Sequence, residues 1–213
     1  MNESDPRVRR TRKLLIEAFG ALLTEKSFHA ISVQDVAERA TVNRATFYAH
    51  FEDKYGLLDS FVGDAFKEAL EHRLPSDMAF SVRHLRILIV TVLEYVAQFN
   101  GRCASQRATD RDLEPLIQSK LQSVLHAFLL GWLQEVPPAE GAEPIAPETT
   151  ATVLSWAIFG AGLDWARYSD VDTVEDRARQ LLALLIGGTA SVLNVSPRAP
   201  ASATPTREAV GAR

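Results

Sequence analysis

Five basic side chains lie close together near the start of the chain, and the chemistry they offer is attraction to a polyanion. They are Arg7, Arg9, Arg10, Arg12 and Lys13, here called the basic arm. Residues 1–56 contain nine Lys/Arg and eight Asp/Glu, a charge of +1, whereas the whole chain has a net charge of −4. A basic arm on an acidic protein fits a nucleic-acid contact. A solvated run of charges would look the same, so the residues that follow the arm must decide between the two.

Residue types that enzymes use are present, but not in catalytic arrangements. No two of the five histidines have the i, i+4 spacing that puts two metal ligands on one helical face; they are His29, His50, His72, His84 and His126. The sequence has no glycine-rich phosphate loop and no nucleophile elbow. We therefore expect no catalytic residue, no metal and no cofactor, in a protein that is not an enzyme.

The composition also indicates a compartment. Cys103 is the only cysteine, which excludes an internal disulfide and fits a reducing cytoplasm. The first residues do not resemble a signal peptide. The longest uncharged stretch, residues 180–196, is too short and too polar to span a bilayer. These features predict a cytoplasmic protein without a membrane partner.

Apolar residues recur at helical spacing along almost the whole chain. Leu15, Ala18, Phe19 and Leu22, for example, follow the i, i+3, i+4, i+7 rule of one helical face. The predicted helices cover residues 7–26, 33–40, a short segment after Asn43, 54–73, 80–99, 112–135, 147–168 and 173–194. Residues 88–93 are hydrophobic nearly all round, so the helix that contains them should be central and buried. The sequence predicts an all-α protein.

Residues 31–51 fit two short helices joined by a tight corner. Ser32 and Asp35 have the capping-box spacing before the first helix, and Asn43 can cap the second. Residues 40–42 form the corner. In a helix-turn-helix the first helix crosses the DNA backbone and the second enters the major groove. Corners of this kind also occur in other helical proteins, so a helical adaptor that binds protein is an alternative, against which the basic arm argues.

Residues 42–58 closely resemble the signature of the TetR family of transcription regulators. The matching residues are Val42, Asn43, Ala45, Thr46, Phe47, Tyr48, His50, Phe51, Lys54, Leu57 and Leu58, and the preceding helix matches at Ser32, Asp35, Val36, Ala37 and Ala40. Thr41 and Ala45 depart from the pattern, because the family commonly has glycine at the first position and often at the second. Thr41 needs a strained backbone if that position is left-handed. The resemblance covers about the first quarter of the chain.

The resemblance implies a DNA interface. The expected set is Ser32, Gln34, Asn43, Arg44, Ala45, Thr46, Tyr48, His50 and Lys54. Within it, Thr46, Tyr48, His50 and Lys54 match positions that contact phosphates, Lys54 with the help of its helix dipole. Arg44 is expected to read guanine and Gln34 adenine, and Ala45 can touch a thymine methyl group. Phe47 and Phe51 are expected in the core.

The last two helices carry small residues on otherwise apolar surfaces. These are Ala157, Gly160, Ala161 and Gly162 in one helix and Gly187, Gly188 and Ala190 in the other. Glycine inside a helix costs about 1 kcal/mol relative to alanine, so a close approach of another helix is expected in return. In the TetR family two C-terminal helices of each subunit form a four-helix dimer interface, and the resemblance implies that use here. Packing within one subunit is the alternative.

Large side chains at core-like spacing in the second domain are candidate walls of a sensor pocket. They are Tyr95, Phe99, His126, Phe128, Trp132 and Trp165. Side chains of this kind also serve simply as core. No polar constellation indicates which small molecule would bind.

Together these features predict three segments: a three-helix DNA-binding helix-turn-helix domain in residues 1–53, a helical ligand-binding and dimerisation domain in residues 54–194, and a disordered tail in residues 195–213. The resemblance implies a homodimer that binds a palindromic operator in double-stranded DNA. It is expected to act as a repressor that leaves the operator on binding a small-molecule effector. An activator of the same family is the alternative.

Overall fold

The computed structural model describes residues 5–74, 80–102, 111–137, 145–167 and 173–189, without the side chains of residues 99–102, 111 and 188–189. Within this part the α-helices are α1 (Pro6–Glu25), α2 (Val33–Arg39), α3 (Arg44–His50), α4 (Lys54–Arg73), α5 (Val82–Arg102), α6 (Glu114–Gln134), α7 (Pro147–Arg167) and α8 (Val174–Thr189). Two 3₁₀ turns, Phe28–Ala30 and Arg111–Leu113, precede α2 and α6. The all-helical prediction is confirmed. The expectations for Cys103 and for the tail in residues 195–213 lie outside the described residues.

Helix α1 forms because its apolar residues fall on one face. Leu15, Ala18, Phe19 and Leu22 are its buried residues, as their spacing predicted. The Phe19 ring meets the rings of Phe28 and Phe61 edge to face, with centroids 6.2 and 5.7 Å apart. This aromatic contact packs α1 against the turn before α2 and against α4.

Side-chain caps set the starts of α2, α3 and α4. Ser32 and Asp35 form a complete capping box, in which Asp35 accepts from the Ser32 backbone N–H at 2.7 Å. Asn43 accepts the N–H of Thr46 at 2.7 Å, and Asp53 accepts the N–H groups of Tyr55 and Gly56 at 2.8 Å. Each cap satisfies amide groups that have no partner inside the helix. The predicted caps of α2 and α3 are confirmed.

Helix α5 is the centre of the helices that follow α3. Leu88, Ile89, Val92 and Leu93 have no exposed surface, and the helix packs against α4, α7 and α8. This confirms the prediction of a central buried helix. The prediction that α5 ends at residue 99 is wrong, because the helix continues to Arg102 through Asn100 and Gly101. Asn and Gly are weak helix formers, but they do not stop a helix by themselves.

Helix α4 links the two parts of the molecule. Its first half contacts α1, and the helix also packs against α5 and α6. Its buried residues, which include Leu57, Phe66 and Leu70, join one continuous hydrophobic core. None of the described helices is long and apolar enough to cross a membrane.

The corner between α2 and α3 has an unusual residue in a common motif. The N–H of Thr41 donates to Glu38 O at 3.1 Å, and the N–H of Val42 donates to Ala37 O at 2.9 Å, which is the Schellman pattern of a helix end. In that pattern the first residue beyond the cap is left-handed and usually glycine. Thr41 occupies it with φ = 58°, the one positive φ of a non-glycine residue in the described part of the chain. The strained backbone considered for Thr41 is therefore present.

We expect Thr41→Gly to stabilise the protein. A left-handed backbone costs a residue with a Cβ about 1–2 kcal/mol, and glycine avoids this cost. The greater freedom of glycine in the unfolded chain offsets about 0.5–1 kcal/mol of the resulting stabilisation. The midpoint of urea unfolding should therefore rise slightly. Thr149→Gly, at an exposed helical position in α7, is the matched control and should not raise it. An unchanged or lower midpoint for Thr41→Gly would contradict the strain.

Candidate nucleic-acid interface

Helix α3 has one buried and one exposed face. Phe47 has no exposed surface, and Phe51, just after the helix, is 5% exposed. Both were expected in the core, and this is confirmed. Arg44, Ala45 and Tyr48 lie on the exposed face, where Tyr48 is 49% exposed. The aromatic ring of Phe47 thus anchors the helix while its polar side chains point to solvent.

Arg44 and Tyr48 orient one another on that face. Arg44 Nη2 donates to Tyr48 Oη at 3.3 Å, and the guanidinium carbon lies 5.8 Å from the centroid of the tyrosine ring. The remaining N–H groups of Arg44 are free to form the fork that recognises a guanine edge. Both side chains extend from one helical turn, four residues apart, so they can act on neighbouring groups of the same ligand.

Three other residues of the expected set have protein partners. The Thr46 hydroxyl donates to Asn43 Oδ1 at 3.0 Å, so its proton is held by the cap rather than offered to a phosphate. Gln34, exposed on α2, donates from Nε2 to Glu38 Oε1 at 2.6 Å. Ser32 donates from its hydroxyl to Asp35 at 2.7 Å. Ser32 and Asn43 therefore act as helix caps, and the bond to Glu38 occupies one of the two Nε2–H donors of Gln34.

His50 is half-buried at the end of α3. Burial, and secondly the positive charge of Arg12, lower the pKa of the His50 imidazole below its ordinary value. The ring is therefore neutral at pH 7. A neutral imidazole can donate one hydrogen bond to a phosphate oxygen but adds no charge to the contact.

Lys54 has a structural role that the sequence did not suggest. Its ammonium group donates to the backbone oxygens of Phe28, His29 and Ile31 at 3.2, 3.3 and 3.1 Å and lies 4.6 Å from the centroid of the Phe28 ring. An ammonium group has three donors. In this arrangement all three are engaged by the protein, and the expected phosphate contact of Lys54 stays a prediction. We call these three bonds the Lys54 staple.

The basic arm occupies the first two turns of α1. Arg7, Arg9, Arg10 and Lys13 are exposed. Arg12 is different, because its Nη2 donates to Ser60 at 2.6 Å and its guanidinium lies 4.6 Å from the centroid of the Phe51 ring. It holds α1 against α4, and four of the five basic residues remain on the surface.

Two ion pairs between α1 and α2 could not be read from the sequence. Arg39 contacts both carboxylate oxygens of Glu25 at 2.9 and 2.7 Å, and Lys26 lies 2.9 Å from Asp35. The hydrogen bond from Arg39 lowers the pKa of Glu25, and the bond from the Ser32 backbone, followed by that from Lys26, lowers the pKa of Asp35. The partners are 9 and 14 residues apart, so no helical spacing indicates them.

The comparisons with known proteins identify the N-terminal part of the chain. Residues 15–61 match the family described as bacterial regulatory proteins, tetR family. An uncharacterized HTH-type transcriptional regulator of Bacillus subtilis, YxbF, is 38% identical over 32% of this chain and 18% of its own length. DhaS of Lactococcus lactis, an HTH-type transcriptional activator of the dhaKLM operon, is 33% identical over 28% of this chain and 32% of its own length. The chain thus spans less than a third of the length of either curated relative.

The solved structure of the FadR repressor of Thermus thermophilus has the same fold, with a TM-score of 0.55, 18% identity, and coverage of 93% of this chain and 100% of that one. Residues 15–61 of this chain are thus a helix-turn-helix of the TetR family. The curated relatives are named as transcriptional regulators and not as enzymes, in agreement with the expectation of a protein that is not an enzyme. No cluster of side chains suited to a metal occurs in the described part of the chain.

The candidate pocket walls have different neighbours, and their role in a pocket stays a prediction. Trp132 is 5% exposed, lies 5.0 Å from Phe128 between ring centroids, and has an Nε1–H without a partner among the described residues. Tyr95 instead packs on Phe66, and His126 lies 3.3 Å from Thr152 Oγ1. Trp165 is half-buried at the edge of the core, and the side chain of Phe99 lies outside the described residues. The aromatic cluster around Trp132 also includes Phe80 and His84, with ring centroids 6.0 and 6.4 Å away.

The small residues of α7 and α8 lie beside exposed apolar side chains. Gly160 and Gly187 are exposed, and a Cβ atom added to either would meet no atom within 4 Å. Ala157 and Ala161 are half-buried, and Gly188 lies outside the residues whose side chains are described. Val153, Trp156 and Leu184 are 60, 58 and 74% exposed. Sequence reasoning missed these three, although the spacing of Val153, Trp156 and Gly160 on one helical face could have indicated them.

We expect Lys54→Met to destabilise the protein. Methionine keeps the apolar stem but removes three hydrogen bonds to backbone oxygens, of which Phe28 O keeps the Ile31 N–H as a donor. Hydrogen bonds to a charged group contribute about 1.5–3 kcal/mol each when buried and less when partly exposed. Thermal unfolding should occur at a lower temperature. Lys13→Met is the control, because the Lys13 side chain is 78% exposed, and it should unfold like the unmodified protein. Normal stability of Lys54→Met would show that the Lys54 staple contributes nothing.

Proposed function

We propose that this protein is a transcription regulator that binds a palindromic operator in double-stranded DNA as a homodimer, with α3 in the major groove. The observation that carries the proposal is the exposed face of α3, where Arg44 and Tyr48 are oriented together above the buried Phe47. The exposed basic arm supplies positive charge beside it on α1. Charge of this kind attracts the DNA backbone, and the side chains of a helix in the groove read the bases.

The geometry favours a division of roles on this face. Arg44 is the base-reading residue, because its guanidinium has unengaged donors and is exposed. Ala45, exposed beside it, suits a thymine methyl group. Tyr48 and the neutral His50 donate to phosphates, and Gln34 reads an adenine.

This proposal predicts two different kinds of loss on an operator recovered by selection from random DNA. Tyr48→Phe should weaken binding to all sequences by a similar factor, because a phosphate contact carries no sequence information. Arg44→Ala should relax the preference at one position in each half-site, at a cost of about 1–3 kcal/mol. Gel shifts on the operator and on its single-base variants measure both effects.

Lys67→Ala is the matched control, since it removes one positive charge from an exposed side chain of α4, outside the proposed interface. It should change neither affinity nor preference. If Arg44→Ala kept the full preference at every position, the base-reading role of Arg44 would be wrong.

The exposed apolar face of α7 and α8 is the surface that we propose for dimerisation. Val153, Trp156, Gly160, Leu184 and Gly187 form it, here called the α7–α8 face. A large exposed tryptophan beside two glycines suits a self-complementary interface, because the glycines let a second helix approach and tryptophan contributes strongly when buried. A dimer built on this face would hold two copies of α3 for half-sites one helical turn, about 34–36 Å, apart.

Gly160→Leu should convert the dimer into a monomer. A Cβ atom added at Gly160 meets no atom within 4 Å, and leucine raises helix propensity, so the fold should persist. The leucine side chain would, however, keep the partner's helix away. Gly131→Leu in α6 is the matched control, because its Cβ also meets no atom within 4 Å.

Sedimentation should find a monomer for Gly160→Leu and a dimer for Gly131→Leu, and operator affinity should fall only for the first. Dimers of equal stability for both variants would exclude the α7–α8 face.

We propose repression, relieved by a small and largely apolar effector, as the mode of action. The fold suits it because α4 contacts both α1 and the central helices, so a ligand that shifts α5 or α6 can change the separation of the two α3 helices. The Thermus thermophilus relative is a repressor and was crystallised with lauroyl-CoA. The aromatic cluster around Trp132 offers the effector a free N–H donor.

An activator is the second candidate, because the Lactococcus lactis relative is named as one. A reporter gene placed behind the selected operator separates the two modes. Its expression should rise on deletion of a repressor and fall on deletion of an activator.

A further inference from the structure

A groove between the end of α4, the start of α5 and the start of α8 has a chemical character of its own. Its cavity has a volume of about 330 Å³ and is lined by Arg73, Arg83, Arg86, Ile87, Val90 and Glu175. We call it the arginine groove. Its size lies within the range of small-molecule sites.

Charge is concentrated in this groove. Three arginines and one glutamate line the groove, and with Glu94, which pairs with Arg73, its net charge is +1, although the chain as a whole carries −4. The guanidinium groups are planar forks of donors that suit phosphate and carboxylate oxygens. An acidic protein that brings three of them to one cavity has a local preference for anions.

The three arginines differ in how free they are. Arg73 pairs with Glu94 at 2.6 Å and Arg86 with Glu175 at 2.5 Å, and the four side chains are between 32 and 54% exposed. Exposed ion pairs of this kind are weak and easily exchanged. Arg83 is exposed and has neither an ion pair nor a hydrogen bond in the described part of the chain. Its guanidinium donors are therefore available to an acceptor on a bound ligand.

The position of the groove separates it from the DNA interface. Arg73 is the last residue of α4 and Lys54 the first, so the groove lies about 28 Å along that helix from the proposed interface. A phosphate of DNA bound by α3 of the same subunit does not reach it. Its ligand must therefore be a separate molecule.

We propose that the arginine groove binds a small organic phosphate ester, with the phosphate on Arg83 flanked by Arg73 and Arg86, and with an apolar group on Ile87 and Val90. A phosphate monoester carries a charge of about −1.5 to −2 at pH 7 and has three acceptor oxygens, so it competes with Glu94 and Glu175 for Arg73 and Arg86 better than a carboxylate does. The two aliphatic side chains give the apolar part of the ligand a surface to cover. This inference does not depend on DNA binding or on the identity of the effector.

Calorimetric titration of the full chain with hexyl phosphate, inorganic phosphate and hexanoate tests the proposal. We expect hexyl phosphate to bind more tightly than inorganic phosphate, because only the ester has an apolar group. It should also bind more tightly than hexanoate, because only the phosphate carries a double charge. Absence of hexyl phosphate binding would overturn the site, and equal or tighter binding of hexanoate would overturn the phosphate class. Equal binding of inorganic phosphate would overturn the role of Ile87 and Val90.

Variants assign the binding to Arg83. Arg83→Gln should weaken hexyl phosphate about tenfold or more, the usual effect of losing a charge-assisted hydrogen bond. Arg83→Lys keeps the charge but not the fork, so its affinity for hexyl phosphate should lie between that of the unmodified protein and that of Arg83→Gln. Lys67→Gln, the loss of an exposed positive charge elsewhere on α4, should bind as the unmodified protein does. Unchanged binding by Arg83→Gln, or an equal loss in Lys67→Gln, would show a general charge effect and overturn the proposal.

Discussion

The Lys54 staple is the interaction on which the arrangement of the N-terminal helices depends. It ties the first residue of α4 to three carbonyls between residues 28 and 31, the turn that leads into α2. Since α2 and α3 are held to each other by their corner and by buried side chains, the position of that turn fixes the direction of α3. Helix α4 then continues into contacts with α5 and α6. The positive charge of Lys54 therefore positions the recognition helix, and any contact with a ligand is secondary to that role.

Local features of this fold were predictable because they depend on neighbours in sequence. Apolar spacing located the helices, and the Ser32 and Asn43 caps followed from residues three positions away. Thr41 could be recognised as a departure at the corner because the family it resembles commonly has glycine there. Contacts between different helices could not be predicted in this way. The carbonyl partners of Lys54 lie 23 to 26 residues earlier, and His29 bonds to Asp112, 83 residues away, at 3.0 Å.

Features of the candidate site were likewise predictable only where they depend on neighbours in sequence. The exposure of Arg44 and Tyr48 follows from the helical period once Phe47 is placed in the core. The hydrogen bond between Thr46 and Asn43 is also local, since the two residues are three positions apart. The family resemblance, however, implied a phosphate contact for Thr46. The arginine groove joins residues from three helices, and no sequence pattern could have assembled it. The exposure of Trp156 was not predicted, because the surface of its helix was interpreted from the small residues beside it.

In the proposed complex two α3 helices, held together by the α7–α8 face, enter successive major grooves on one side of the DNA. Hydroxyl-radical footprinting of the protein on its selected operator tests this arrangement directly. It predicts two protected segments related by a twofold axis, with centres 10–10.5 base pairs apart or at multiples of that spacing. A single protected segment, or protection without a twofold axis, would contradict it.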